Sequence, residues 1–192
     1  MSIPAVILAA GASCRLGKPK QLVELFGEPL LRRTASTVLV GCKPVLVVLG
    51  SQAEKVGVSL AGLPVTIVTN KEWQEGVASS IRVGVRALPA NAEGVFLFTC
   101  DQIALNNVVL MRLLKTQSCH NESVIACEYS GIRGVPAYFP NKYFSKLKAL
   151  RGDHGAGRFL QVDSVVAVPF PKGEYDIDCP EDLPKYLALD SC

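Results

Sequence analysis

Apolar residues fall along this chain in short unbroken runs, separated by stretches in which they recur at helical spacing. The first run, residues 3–10, stops at Gly11; residues 45–49, 65–69, 95–99, 124–128, 135–139 and 165–169 repeat the pattern. Runs this short, closed by glycine, proline or polar residues, read as buried strands. Between them, residues 29–39, 51–61, 78–88, 107–116 and 141–150 read as helices. Pro29 suits a first helical position, Ser51 suits an N-cap, and Ile81, Val85 and Leu88 share one helix face. The glycine-rich stretch 152–157 opens a further short helix, and a last one is expected over 180–188. Strands alternating with helices predict crossover connections and a mostly parallel sheet. Strands that are apolar throughout predict cover on both faces. The expectation is α/β: a single doubly wound, Rossmann-like domain over residues 1–192, with helices on both faces. In such a sheet a ligand sits beyond the carboxyl ends of the strands. That places the loops at Gly11 and at Asp101 beside one crevice.

Composition narrows the picture only slightly. The 192 residues are 49% hydrophobic and 19% charged, enough for a substantial core. A net charge of +3 implies neither nucleic acid nor a membrane surface as partner, and leaves room for a local site for a small anion. Seven cysteines, at 14, 42, 100, 119, 127, 179 and 192, include no C-x-x-C pair. They read as reduced structural thiols of a cytoplasmic protein. The N-terminus lacks the basic segment of a signal peptide, and no apolar stretch is long enough for a spanning helix.

The loop after the first strand carries the strongest chemical signal. Gly11 and Gly17 let backbone N–H groups approach an anion. Ser13 adds a hydroxyl, and Arg15, Lys18 and Lys20 add clustered positive charge. Arginine can grip phosphate oxygens in pairs, while lysine acts as a point charge. The spacing matches neither G-x-G-x-x-G nor the P-loop. Asp101 follows an apolar strand directly, where a carboxylate can hold a hard divalent cation or cap the next helix. Asp176 and Asp178 alternate, so on an extended backbone both face one side; one of them can complete a metal site with Asp101. Pro180, Glu181 and Asp182 read as a helix start. Ser79 and Ser80 open a helix, as anion or base contacts or as plain caps. Residues 151–158, R-G-D-H-G-A-G-R, read as a second anion site or as a basic surface loop. His120 has no assigned role.

The run L-A-A-G-A-S-C-R-L-G-K-P-K at residues 8–20 resembles the signature of the MobA-like nucleotidyltransferases. G-V-A-S-S-I-R, C-D-Q, G-I-R-G-V-P, G-D-H-G-A-G-R and D-I-D-C-P-E-D-L resemble further family motifs, in order, over most of the chain. The subgroup most similar is the molybdenum cofactor cytidylyltransferases, which use CTP and Mg²⁺ to place CMP on molybdopterin. The Ala9-Ala10 pair resembles this CTP-using branch. The resemblance implies that Arg15 and Lys20 bind the triphosphate and act in catalysis with Asp101. It implies that Leu8, Ala9, Ala10, Gly11 and Ser13 form the nucleotide loop and that Ser79 and Ser80 lie near the nucleotide. Asp101 and Asp178 would hold Mg²⁺, with Asp176 as the alternative second ligand. The partners implied are a nucleoside triphosphate, a phosphorylated small-molecule acceptor and a transient cofactor-receiving enzyme. Ile103, Val135 and Gly157 depart from the family pattern, the latter two where the acceptor is expected. A sugar-phosphate acceptor, or a nucleotide-binding chaperone on the same fold, stays open as the alternative.

Overall fold

The computed structural model describes residues 2–162, 164–177 and 182. Among the described residues nine strands occur in chain order: β1 (Ile3–Ala9), β2 (Glu24–Leu25), β3 (Glu28–Pro29), β4 (Cys42–Leu49), β5 (Thr66–Thr69), β6 (Gly94–Thr99), β7 (Ile125–Tyr129), β8 (Ile132–Pro140) and β9 (Val166–Pro169). The helices are α1 (Leu30–Leu39), α2 (Ala53–Gly57), α3 (Val77–Arg86), α4 (Asn107–Cys119) and α5 (Phe144–Lys148). Seven strands form one sheet in the order β5-β4-β1-β6-β8-β7-β9, and β2 pairs with β3 as a small separate hairpin. β1 pairs in parallel with both β4 and β6, β4 with β5, and β7 with β9. This is the mostly parallel, doubly wound architecture expected from the alternation of strands and helices.

Strand alternation builds two cores from one sheet. Ala5, Ile7 and Ala9 of β1 face one side with Phe96 and Phe98, under Leu31, Ala35 and Val38 of α1 and Leu110 and Leu113 of α4. Val6 and Leu8 face the other with Leu97, under Ala78, Ile81 and Val85 of α3 and Leu147 of α5. Neighbouring residues of one strand thus enter opposite cores, so the run cannot be shifted by one residue without emptying both. A third, smaller cluster of Leu16, Val23, Leu25, Leu30 and Ile177 pins the loop after β1 to the sheet's carboxyl edge.

One strand direction was not predicted from the sequence, and two helix expectations are corrected. β8 runs antiparallel to both β6 and β7. The cause is a two-residue hairpin turn at Ser130 and Gly131, both with positive φ (47° and 76°). This is the pattern of a type I′ turn, in which glycine meets the left-handed requirement without steric cost. The helix expected over 51–61 is confined to α2 and a following 3₁₀ turn at Val58–Leu60. Ser51 does not cap it: Gln52 stands at the cap position with φ 51° and makes no side-chain capping bond, while Ser51 N–H donates to the Ala10 carbonyl at 3.0 Å. The helix expected over 141–150 divides into a 3₁₀ turn, Asn141–Tyr143, and α5. Of the final helix only Asp182 is described, so the start expected at 180–181 lies outside the described residues.

Cys14, Cys42, Cys100, Cys119 and Cys127 are free thiols, and the other two cysteines lie outside the described residues. Burial pushes the pKa of Cys42 and Cys127 up to about 12 and raises that of Cys100 as well. These three thiols therefore stay protonated and unreactive at neutral pH. Among the described residues no helix is long and apolar enough to cross a membrane.

Candidate active site

A cavity of about 380 Å³ opens at the carboxyl edge of the sheet. It runs from Trp73 and the start of α3, across the loop that follows β1, to Asp101 just after β6. The β1 loop is shaped by its own polar contacts. Ser13 adopts a left-handed conformation (φ 55°) and its Oγ accepts the backbone N–H of Lys20 at 3.0 Å. That bond turns Lys20 back over the loop, and its Nζ reaches Asp101 Oδ2 at 2.8 Å. The pair ties the loop after β1 to the loop after β6, eighty-one residues later in the chain.

Gln21 was not singled out by the sequence. Its side chain is buried, and Nε2 donates to the carbonyls of Ala9 (2.8 Å) and Gly11 (3.0 Å). The Ala10 carbonyl between them accepts Ser51 N–H. Three successive carbonyls at the end of β1 are therefore engaged by the protein. What this loop offers a ligand is mainly its N–H groups.

Leu8, Ala9, Ala10, Gly11, Ser13, Lys20, Ser80 and Asp101 all line the cavity. Arg15 and Ser79 are not among its lining residues. Arg15 sits exposed in the 3₁₀ turn Cys14–Leu16. Ser79 is fully buried: its hydroxyl donates to Gly76 O (2.8 Å) and accepts from Asn70 Nδ2 (2.8 Å). Asn70 also donates to Ser80 Oγ at 3.0 Å, so one buried amide fixes both serines. Asp101 does not cap the following helix. α4 begins only at Asn107, and Asn106 caps it by accepting Val109 N–H at 3.1 Å. That leaves the Asp101 carboxylate to the cavity.

Trp73 and Gln74, which the sequence did not single out, also line the wall, with Gly76 of the G-V-A-S-S-I-R motif and Asp153 of the 151–158 stretch, neither of them given a role from sequence. Gly76 has φ +117°, and a Cβ there would lie 2.7 Å from the Gly152 carbonyl carbon and oxygen, so the 150s loop rests directly on this glycine. The Ala78 N–H donates to Gly152 O at 3.2 Å. Residues 151–158 thus form part of the cavity wall, with Asp153 as their contribution. Arg151 turns aside to the Leu150 carbonyl, and Arg158 stacks over Phe159.

An ion pair between buried Arg82 and the partly exposed Glu75 carboxylate holds that loop. Arg82 donates to both carboxylate oxygens of Glu75 (2.6 and 2.5 Å) and to the Leu150 carbonyl (2.9 Å), while Gly152 N–H also donates to Glu75 (3.2 Å). Those hydrogen bonds, Arg82's first, hold the Glu75 carboxyl at about 2, below its ordinary 4.5. The folded-state pKa is the lower one, so this contribution to stability is complete above pH 4.5 and is lost as pH falls toward 2. Between those values the melting temperature of the parent protein should fall more steeply than that of Glu75→Gln. Parallel curves for the two proteins would rule this linkage out.

Gln102 braces the other end. It is buried, donating from Nε2 to Val135 O (2.8 Å) and Gly173 O (3.3 Å), and it forms an isolated bridge with Asp176. Burial, then the Asp176 charge, pushes the nearby Tyr129 hydroxyl up to about 12. Among the described residues no three His, Cys, Asp or Glu side chains converge on a metal position. Asp101 faces the cavity, the bridge brings Asp176 near it, and Asp178 lies outside the described residues. One or two carboxylates suit a hard dication that takes the rest of its shell from phosphate oxygens and water.

The model of the MobA-like NTP transferase domain matches residues 5–168. Nicotine blue oxidoreductase of Paenarthrobacter nicotinovorans is 37% identical over 58% of this chain, and the match spans only 55% of that protein. The purine catabolism protein PucB of Bacillus subtilis is 31% identical over 92% of each chain. The molybdenum cofactor cytidylyltransferase of Escherichia coli is 23% identical over 95% of this chain and 94% of its own. Rv0371c of Mycobacterium tuberculosis superposes with a TM-score of 0.82 at 27% identity, covering 98% of this chain and 99% of that one. With the family model matched over most of its length, and with the loop after β1 and Asp101 facing one cavity, this chain belongs to the MobA-like nucleotidyltransferase family.

Proposed function

We propose that this protein moves CMP from CTP onto a phosphate oxygen of a small acceptor of the molybdopterin kind and releases pyrophosphate. The observation that carries the reading is the Lys20–Asp101 pair. A cation from the anion-binding loop and a carboxylate suited to a metal meet at 2.8 Å on one wall of a nucleotide-sized cavity. Lys20 and Arg15 would neutralise the β- and γ-phosphates. Asp101 and Asp178 would hold Mg²⁺, with Asp176 as the alternative second ligand; the bound ion supplies charge neutralisation at phosphate oxygens. The acceptor phosphate is ionised at neutral pH, so attack on the α-phosphorus needs no strong general base. That accords with His120 and His154, both exposed and neither lining the cavity.

Base choice follows from what the β1 loop has left to offer. With the carbonyls of Ala9, Ala10 and Gly11 already engaged, N–H donors suit the O2 and N3 acceptors of cytosine. Asp153 supplies an acceptor for an amino or ribose hydroxyl proton. Asp153→Ala should raise KM for CTP about tenfold with kcat unchanged, as loss of a charged hydrogen bond made equally in ground and transition states. An unchanged KM removes Asp153 from nucleoside recognition.

The cytidylyltransferase relative, matched along nearly the whole chain, supports the CTP and molybdopterin assignments. The free buried thiols accord with a cytoplasmic location, and the cofactor-loaded product implies a receiving enzyme as transient partner. The deciding experiment is a matrix of four NTPs against molybdopterin, sugar-phosphate and phosphorylated-alcohol acceptors, read by pyrophosphate release and product mass. CMP transfer to molybdopterin is expected. Transfer from GTP alone overturns the base assignment, and release with no acceptor in any combination overturns the transferase reading.

A further inference from the structure

We infer that a second cavity, behind the loop that carries Asp101, is a binding site for an organic phosphate. This cavity of about 370 Å³ lies between the β2–β3 hairpin, α1, the start of α4 and the turn after β9. Arg33 of α1, Arg112 of α4 and Lys172 after β9 contribute to its wall, and among the described residues no aspartate or glutamate does. None of the three cationic side chains makes a hydrogen bond or ion pair among the described residues. Neighbouring Arg32, by contrast, pairs with Glu28 and donates to two carbonyls. Three like charges around one concavity repel each other, and a bound anion relieves that repulsion.

Two further features point the same way. Arg33 Nε is buried with no hydrogen-bond partner, a condition that folded proteins seldom leave uncompensated. The Arg33 guanidinium lies over the Phe26 ring, 5.4 Å from its centroid, so it is held by an aromatic face rather than by a carboxylate. Its outer N–H groups remain available for paired contacts to an oxyanion. The start of α4, whose dipole is positive at that end, adds to the same field. The remaining wall is apolar, including Leu25, Ile103 and Leu105, and Phe26 is 52% exposed above it. Cations beside an apolar floor and an open aromatic ring fit a phosphate that carries an apolar or aromatic body.

The site is distinct from the nucleotide cavity but shares a loop with it. Asp101 lines one and Ile103 and Leu105 line the other. It therefore stands whether or not CTP is the nucleotide.

Isothermal titration with phenyl phosphate and with inorganic phosphate tests this, performed on Lys20→Met protein so that the anion end of the nucleotide cavity is weakened. The expected result is one equivalent of phenyl phosphate bound, with inorganic phosphate binding more weakly. Adding Arg112→Met or Arg33→Met should weaken phenyl phosphate at least about tenfold, the scale of one charged contact. CTP binding by the single variant Arg112→Met should be unchanged. Arg112 is exposed, so that variant carries the test even if Arg33→Met fails to fold. Absence of binding in the Lys20→Met protein, or binding indifferent to Arg112→Met, overturns the proposal. Equal affinity for both probes overturns its organic part.

Discussion

Asp101→Asn should abolish nucleotidyl transfer while the protein stays folded. Asparagine keeps the shape of the side chain and removes its charge. The carboxylate is partly exposed and pairs with Lys20, and an ion pair of that kind contributes at most about 1 kcal/mol to stability. α4 does not depend on it, because Asn106 supplies the cap. The cost therefore falls on charge handling at the phosphates, where loss of a preorganised group lowers kcat by about 10³-fold. Pyrophosphate release and a thermal melt on the same sample check both halves. Retained Mg²⁺-dependent transfer removes Asp101 from the metal site, and an unfolded variant contradicts the structural half.

Lys20→Met should lower kcat about 10²-fold, corresponding to about 3 kcal/mol of transition-state stabilisation. The substitution keeps the apolar stem. It also leaves the backbone N–H of Lys20 on Ser13 Oγ, so the loop retains its left-handed turn. What disappears is the positive charge that the proposed mechanism sets against the leaving pyrophosphate. Charge on that group develops as the bond breaks, so the loss should appear in kcat more than in KM. A change confined to KM would instead place Lys20 in uniform binding of the triphosphate.

The sheet was legible in the sequence because its central strands β1, β4 and β6 are buried on both faces and read as unbroken apolar runs. β1 and β6 lead straight into Gly11 and Asp101, so the carboxyl-edge rule located the cavity. The direction of β8 was not read. Its cue, Ser130-Gly131 between two apolar runs, is present in the sequence but is the kind of signal that short-run reading passes over. Asp101 was divided between metal ligand and helix cap. Only the observed start of α4, six residues later, separates the two. Ser79 and Ser80 are adjacent and alike in sequence, and Asn70, nine and ten residues earlier, holds both; only the packing around them puts Ser80 and not Ser79 on the cavity. Gln21 and Asp153 were given no role for a related reason. A glutamine in a basic loop and an aspartate among glycines become informative only once Ala9, Gly11 and Gly76 are brought beside them by tertiary packing.

In the proposed reaction, the bond that breaks is at the α-phosphorus of a bound nucleotide. CTP labelled at the α-phosphate and, separately, at the γ-phosphate distinguishes this from other chemistry, in the presence of Mg²⁺ and molybdopterin. The prediction is that α-label appears in the acceptor product and γ-label leaves in pyrophosphate. Release of γ-label as inorganic phosphate, with no α-label in any acceptor, would contradict it.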